Sequence, residues 1–376
     1  MGRVLSDKSI GRVSRLREAG IGLGLVLASV MACLLAGELL VRIVSDDPKR
    51  WEWENFVTYP SLAEGRWNVM QPDSLLGYKP RAGYSGTNHG GKELLTFDMR
   101  GLRVHRRDSP PPAIETPPVL VLGNSYAMGE EVNDEETFPA HLQDMLDRRV
   151  LNGGVAGYGI DQVVLRAEAL VPALKPGLLV VSFIGDNVRR AQERVLWGVE
   201  KPYFEVIEGG LELRNVPVPL HVVQPIDAFR RIAGHSFLVD LTMDRLGLAD
   251  YWLAGQPRLR VAAHEQGDRV SCLLMERLRQ LSLAHGLTIL IVAQYTPLAW
   301  MNETTRQFEV QTTAAVLQCA EKSGLLILDT AAAFETAVRA DGLDAYYVGG
   351  HKDDAGNRLT AKLITDRLAS LQHKPF

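Results

Sequence analysis

The chain has 376 residues, 46% of them hydrophobic, with 41 Lys and Arg against 45 Asp and Glu and a formal net charge of -4. That length can bury a large core, and the charge balance lacks the basic excess by which nucleic acid is bound. No Walker lysine, His-Glu-x-x-His or Cys-x-x-Cys is present, so no nucleotide, cofactor or catalytic metal is indicated.

In chain order, residues 1–19 form a short arm carrying Arg3, Lys8, Arg12, Arg15 and Arg17. From residue 20 to 44 the only ionisable groups are Glu38 and Arg42, both near the far end, and the run is long enough to cross a bilayer. The segment is predicted to be a transmembrane helix. The arm's positive charge places it in the cytoplasm and the body of the chain outside, periplasmic or extracellular. Trp51, Trp53, Phe56 and Tyr59 follow as candidate interfacial anchors. Val30-Met31-Ala32-Cys33 loosely matches a lipoprotein cleavage box, but apolar residues continue through Leu34, Leu35, Leu39, Leu40 and Val41, which predicts an uncleaved anchor. Within it Gly20, Gly24, Ala28, Ala32 and Ala36 recur every fourth residue, a stripe on which another membrane helix can pack closely.

Residues 45–118 are read as a juxtamembrane region ending in breakers, Ser109-Pro110-Pro111-Pro112 and Pro117-Pro118. Residues 119–376 form the main domain. Strands near 119, 150, 178, 287 and 325 alternate with helices near 137, 161, 265, 305 and 356, the pattern of a parallel sheet covered on both faces. Residues from about 195 to 260 interrupt it as an insertion beside the carboxyl edge of the sheet, with a hairpin predicted for Tyr203 to Ile207 and Leu211 to Arg214 around Gly209-Gly210. Cys272 and Cys319 fall on predicted helices; two buried thiols is the simpler reading, pairing the other.

Val119-Leu120-Val121-Leu122 runs directly into Gly123-Asn124-Ser125, which puts a serine at the carboxyl end of a buried strand. Asn152-Gly153-Gly154 follows the second strand, Gly185-Asp186-Asn187 the third, and Gly350-His351-Lys352-Asp353-Asp354 precedes the last helix. This order of blocks, with Asp73-Ser74-Leu75-Leu76-Gly77-Tyr78 upstream and Lys201-Pro202-Tyr203-Phe204 and Pro217-Val218-Pro219 in mid-chain, resembles the SGNH (GDSL-like) hydrolases, specifically a bacterial branch with an N-terminal membrane anchor. The resemblance covers roughly residues 73 to 371. It implies a flavodoxin-like parallel sheet with helices on both faces, and location at the bacterial inner membrane.

It also implies roles. Ser125 matches the nucleophile, His351 the base and Gly154 a backbone donor to the oxyanion. Three departures stand out. Asn124 replaces the aspartate before the serine. Asp186 occupies the position expected to hold a donor asparagine, leaving Asn187 as the candidate; a carboxylate accepts hydrogen bonds and repels developing negative charge. Val348 and Gly349 stand where an aspartate should orient His351, and Asp341, Asp344, Asp353 and Asp354 are at the wrong offset.

Two functions from different classes follow. The altered blocks and the small-residue stripe suggest a catalytically degenerate domain that serves as a structural or assembly subunit, its helix packed against other integral membrane proteins. The resemblance itself implies the alternative, an esterase or O-acyltransferase acting on extracytoplasmic acyl esters such as an acetylated glycan.

Overall fold

The structure, a computed structural model, describes residues 7–45, 51, 55–57, 68–87, 92–105, 116–219, 226–253 and 260–372. The chain divides into two compact units, one of residues 1–60 with 222–256 and one of residues 61–221 with 257–376.

The larger unit is built on five parallel strands: β1 (Val119–Leu122), β2 (Val150–Asn152), β3 (Leu178–Phe183), β4 (Thr288–Ala293) and β5 (Leu326–Asp329). Their spatial order is 2-1-3-4-5. Because side chains alternate along a strand, each apolar run feeds two cores. Leu120, Leu122, Leu179, Val181, Phe183, Ile289 and Ile291 pack on one face with the helices Ile160–Leu174, Gly267–His285 and Glu303–Lys322. Val119, Val121, Leu178, Val180, Leu290 and Val292 pack on the other with Phe138 and Leu142 of the helix Phe138–Leu146 and Ala361 and Ile364 of the helix Asp354–Gln372. The predicted two-sided α/β sheet is thus present.

Segments upstream and in mid-chain complete the first core. Residues 69–87 and 92–105, read from sequence as juxtamembrane, contribute the buried side chains of Met70, Leu76, Tyr78, Leu95, Phe97 and Leu102. Tyr78 Oη donates to Ala156 O at 2.7 Å, Tyr158 Oη donates to Tyr78 O at 2.5 Å, and Val218 N donates to Ser74 O at 2.7 Å. A Cβ on Gly77 would stand 2.4 Å from Glu200 O, so only glycine lets these segments meet. The hairpin expected around Gly209-Gly210 pairs Tyr203–Ile207 with Gly210–Arg214. Cys272 and Cys319 form a disulfide between the helices Gly267–His285 and Glu303–Lys322, with Cα atoms 5.2 Å apart. This corrects the reading of two separate thiols: both helices pack on one face of the sheet, which the spacing of 47 residues does not reveal.

The smaller unit joins the helix Asp7–Val44 to residues 222–256, so half of the insertion belongs with the N-terminal helix. The run 20–44 is long and apolar enough to cross a membrane. Gly20, Gly24, Ala28, Ala32 and Ala36 are all exposed on it. Short helices Ala228–Ala233, Phe237–Arg245 and Ala249–Trp252 enclose Val57, Trp252 and Leu253. Trp51 is exposed, but Phe56 is buried edge-on against Phe237 at 5.6 Å, an internal contact in place of the expected interfacial one. Trp53 and Tyr59 lie outside the described residues.

Candidate active site

In the order 2-1-3-4-5 the connections leave β1 and β3 in opposite directions, opening a crevice at their carboxyl ends where α/β proteins hold ligands. Ser125 stands there, the first residue of the short helix Ser125–Met128. The turn that presents it is tightly packed. A Cβ on Gly123 would lie 2.5 Å from Ser182 O, and one on Gly154 only 2.3 Å from Met128 N, so both glycines let backbone lie against backbone. Asn124 caps the helix, its Oδ1 accepting from Tyr126 N at 2.9 Å, and is fully buried.

His351 reaches this serine across 226 positions of sequence, with Nε2 2.8 Å from Ser125 Oγ. Contacts of Tyr126 and Lys352 hold the strand that carries it. The ring lies 5.1 Å from that of Tyr126, whose hydroxyl donates to Gly350 O at 2.8 Å. The neighbouring Lys352 is buried, and its Nζ donates to Gln294 Oε1 at 2.6 Å and Thr360 Oγ1 at 2.8 Å, 3.8 Å above the Phe334 ring. Burial pushes the Lys352 ammonium well below the ordinary lysine range.

A carboxylate reaches the imidazole from an unexpected place. Glu131 Oε1 lies 3.2 Å from His351 Nδ1, and Glu130 Oε2 lies 3.5 Å from Nε2. The Glu131 approach is close, but it lacks the geometry of a normal hydrogen bond. The His351 ring is the main cause that holds the Glu131 carboxyl below its usual range, against partial burial and helped by the backbone amides of Gly350 and His351. Glu131 follows the serine by six positions, on the loop between Met128 and Asp134, and Arg103 fixes that loop. Arg103 Nη1 donates to Met128 O at 2.8 Å and to Gly129 O, Nη2 to Val132 O at 2.7 Å and Leu94 O at 2.9 Å, and Nε to Asp134 at 2.9 Å.

The four aspartates considered from sequence are engaged elsewhere or exposed. Asp354 pairs with His141 at 2.7 Å, Asp353 accepts from Gly356 N at 2.8 Å, Asp341 accepts from Tyr346 Oη at 2.6 Å, and Asp344 is exposed. The sequence did hold a signal for Glu131: an acidic pair just after the serine helix, opposite a glycine two positions before the histidine.

Asp186 turns away from the serine. Its Oδ1 accepts from Arg189 Nε at 2.8 Å and its Oδ2 from Arg190 Nε at 2.7 Å. Burial opposes its charge, but Arg190 and Arg189 outweigh that and hold its carboxyl below the usual range. Asn187 turns inward and is fully buried. Its Oδ1 accepts from Asn124 Nδ2 and from Ile184 N, both at 2.7 Å, while its Nδ2 donates to Tyr158 O at 2.5 Å. It therefore braces the floor beneath the serine turn. Gly154 N donates to Asn152 Oδ1 at 3.0 Å. Among the described residues, the Ser125 N–H has no protein acceptor. Chemically, the arrangement is a hydroxyl, a base within hydrogen-bond reach of it and a carboxylate behind the base, the sequence by which a serine oxygen is activated. No group of three or more His, Cys, Asp or Glu suited to a metal is found among the described residues.

No family model matches the chain, and neither does any curated protein. Among solved structures it is similar to LAE5, an α/β-hydrolase enzyme from the metagenome of Lake Arreo, with 14% identity and a TM-score of 0.43 over 70% of this chain and 99% of that one. It is also similar to a catalytic mutant of Axe2, an acetylxylan esterase from Geobacillus stearothermophilus, with 14% identity and a TM-score of 0.41 over 68% and 96%. A G-D-S-L family protein from Desulfitobacterium hafniense aligns with 14% identity and a TM-score of 0.36 over 67% and 99%. The larger unit has the parallel α/β sheet, of order 2-1-3-4-5 with helices on both faces, that the resemblance implied, and the blocks around Ser125, Gly154 and Asp186 fall at the carboxyl ends of its strands.

Proposed function

We propose that the larger unit is a serine ester hydrolase or O-acyltransferase in which Ser125 is the nucleophile, His351 the base and Glu131 the orienting acid. The observation that carries the reading is the placing of His351 between the other two, its Nε2 2.8 Å from Ser125 Oγ and its Nδ1 3.2 Å from Glu131 Oε1. Ser125 Oγ attacks the acyl carbonyl as its proton passes to His351 Nε2. The imidazolium, stabilised by Glu131, returns that proton to the departing alkoxide. Water or an acceptor hydroxyl then releases the acyl group by the same steps in reverse roles. The Ser125 N–H, without a protein acceptor among the described residues, is the donor left for the oxyanion, whereas the Gly154 N–H is shared with Asn152. The loose geometry of the Glu131 contact suits a resting site, since catalytic hydrogen bonds tighten when substrate binds.

Two carboxylates beside the histidine favour neutral acyl esters over anionic ones, and the near-complete burial of Ser125 favours a small acyl group such as acetyl. An acetylated extracytoplasmic glycan fits both. The N-terminal helix is read as an uncleaved anchor in the bacterial inner membrane, with its N-terminus cytoplasmic and the domain outside. The disulfide supports an oxidising compartment.

A second reading, a catalytically retired domain acting as an assembly subunit beside other membrane proteins, draws support from the donors: the Gly154 and Asn187 N–H groups are both already engaged. Labelling of the full-length protein with a fluorophosphonate probe separates the two. Labelling lost in Ser125→Ala and hydrolysis of 4-nitrophenyl acetate at least tenfold above that of a 4-nitrophenyl hemisuccinate are expected. An unlabelled wild-type protein would leave only the second reading standing.

A further inference from the structure

Glu38 lies inside the apolar run 20–44, six residues before its end, yet it is well provided with donors. Arg42 Nε donates to its Oε1 at 2.5 Å, Ser236 Oγ to its Oε2 at 2.7 Å, and the backbone N–H groups of Phe237 and Leu238 to its two oxygens at 2.9 Å. The carboxylate thus caps the helix Phe237–Arg245, whose first amides would otherwise lack partners. A Cβ on Gly37 would come within 3.2 Å of Leu238, so the two helices touch at this point.

These contacts fix a depth. At 1.5 Å per residue, Glu38 sits about 9 Å below the end of the run, and a hydrocarbon core about 30 Å thick takes up about 20 of its residues. If the run spans a bilayer, the turn at Ser236 is held at the boundary between hydrocarbon and headgroups. Large apolar side chains stand exposed around it, interleaved with the exposed charges of Asp227, Arg231, Asp244 and Arg245. Ile232 is 78% exposed, Leu246 66% and Phe229 53%, and Phe229 and Ile232 share one face of their helix.

We propose that residues 226–253 form an interfacial foot: a helical unit, tied to the span by Glu38, that rests Phe229, Ile232 and Leu246 in the headgroup layer of the bilayer. The occupant of this surface is lipid, because the covalent span and the Glu38 cap already hold it at lipid depth. The foot would fix the distance and attitude at which the chain leaves the membrane. It rests on the reading of residues 20–44 as a membrane anchor.

The test uses full-length protein with Cys33→Ser, reconstituted in nanodiscs of phosphatidylcholine and phosphatidylglycerol, with a nitroxide on Leu27→Cys, Ile232→Cys or Leu246→Cys in turn. Collision with oxygen and with a water-soluble nickel chelate reports depth. Expected is deep burial for the Leu27 label and headgroup depth for both others, with at least fivefold protection from the chelate relative to a label on exposed Glu208→Cys. In Glu38→Ala the Ile232 and Leu246 labels should become chelate-accessible while Leu27 stays deep. A deep Leu27 with freely accessible Ile232 and Leu246 in the otherwise wild-type protein would overturn the foot alone. An accessible Leu27 would overturn the anchor and the foot with it.

Discussion

A Cβ placed on Gly349 would lie 2.5 Å from Glu131 Oε2. The glycine two positions before His351, where an aspartate was expected, is therefore the space through which Glu131 reaches the imidazole. Gly349 also has a φ of +55°, a conformation that aspartate tolerates better than most residues. The two positions should behave as a pair. Glu131→Gln should lower kcat by about two to four orders of magnitude with KM changed only a few-fold, as for loss of the orienting acid in serine proteases. Gly349→Asp should impair the wild-type enzyme by collision, yet restore at least tenfold of the activity lost in Glu131→Ala. A double variant no better than Glu131→Ala would show that the two residues do not exchange the role. Steady-state kinetics on 4-nitrophenyl acetate gives the answer.

Arg103 should act through Glu131. Its guanidinium is 3% exposed as a residue and gathers the carbonyls of Met128, Gly129 and Val132 around the loop that bears Glu130 and Glu131. Arg103→Lys keeps the charge but loses the planar fork, so kcat should fall at least tenfold while KM holds. Arg103→Leu leaves the Asp134 carboxylate unpaired in the core and should cost about 3–5 kcal/mol in urea unfolding. Equal kcat in wild type and Arg103→Lys would remove Arg103 from the positioning of the site.

The disulfide closes a loop of 47 residues between two helices that pack on the same sheet face. Loop-closure entropy gives it a worth of about 4 kcal/mol. Cys272→Ser with Cys319→Ser should lower the urea midpoint accordingly, whereas turnover at 25 °C should be unchanged, because among the described residues neither helix supplies a hydrogen bond or ion pair to Ser125 or His351. Insensitivity of the midpoint to a reducing agent would contradict this.

His105 gives stability a pH dependence. Its Nε2 donates to Val150 O at 2.7 Å, and burial holds its pKa down at about 4, from 6.5. The unfolded chain therefore takes up this proton first. The stabilisation is complete above about pH 6.5 and is lost as pH falls toward about 4, with a slope approaching about 1.4 kcal/mol per pH unit. The lowered carboxyl of Glu131 works in the same direction but at lower pH, where the unfolded carboxylate begins to protonate. Between pH 6.5 and 4.5, His105→Gln should flatten the stability curve relative to wild type, as read from urea midpoints at each pH.

The local patterns were legible in the sequence because their causes are local. Four consecutive apolar residues with two valines and a glycine turn after them, Val119 to Leu122, favour a strand buried on both faces, and Gly123 and Gly154 mark turns where backbone meets backbone. The alternation of strands and helices, the serine turn and the histidine before the last helix follow from such blocks. The acid was not legible, since the expectation looked for it beside His351 in sequence. What matters to an imidazole is distance in space, and the loop of Glu131 arrives from 220 positions away. Asp186 and Asn187 were similarly undecided until the helix Gly185–Arg190 set which side chain turned toward the arginines and which toward Asn124.

By itself, then, the sequence determined a two-faced α/β sheet, a serine at the end of its first strand and an apolar helix ahead of it, all properties of short-range periodicity and turn chemistry. Only the tertiary structure decided that Glu131 orients toward His351, that Cys272 meets Cys319 and that Glu38 caps the helix at Phe237, because each pairs groups whose separation is fixed by chain packing and not by sequence spacing.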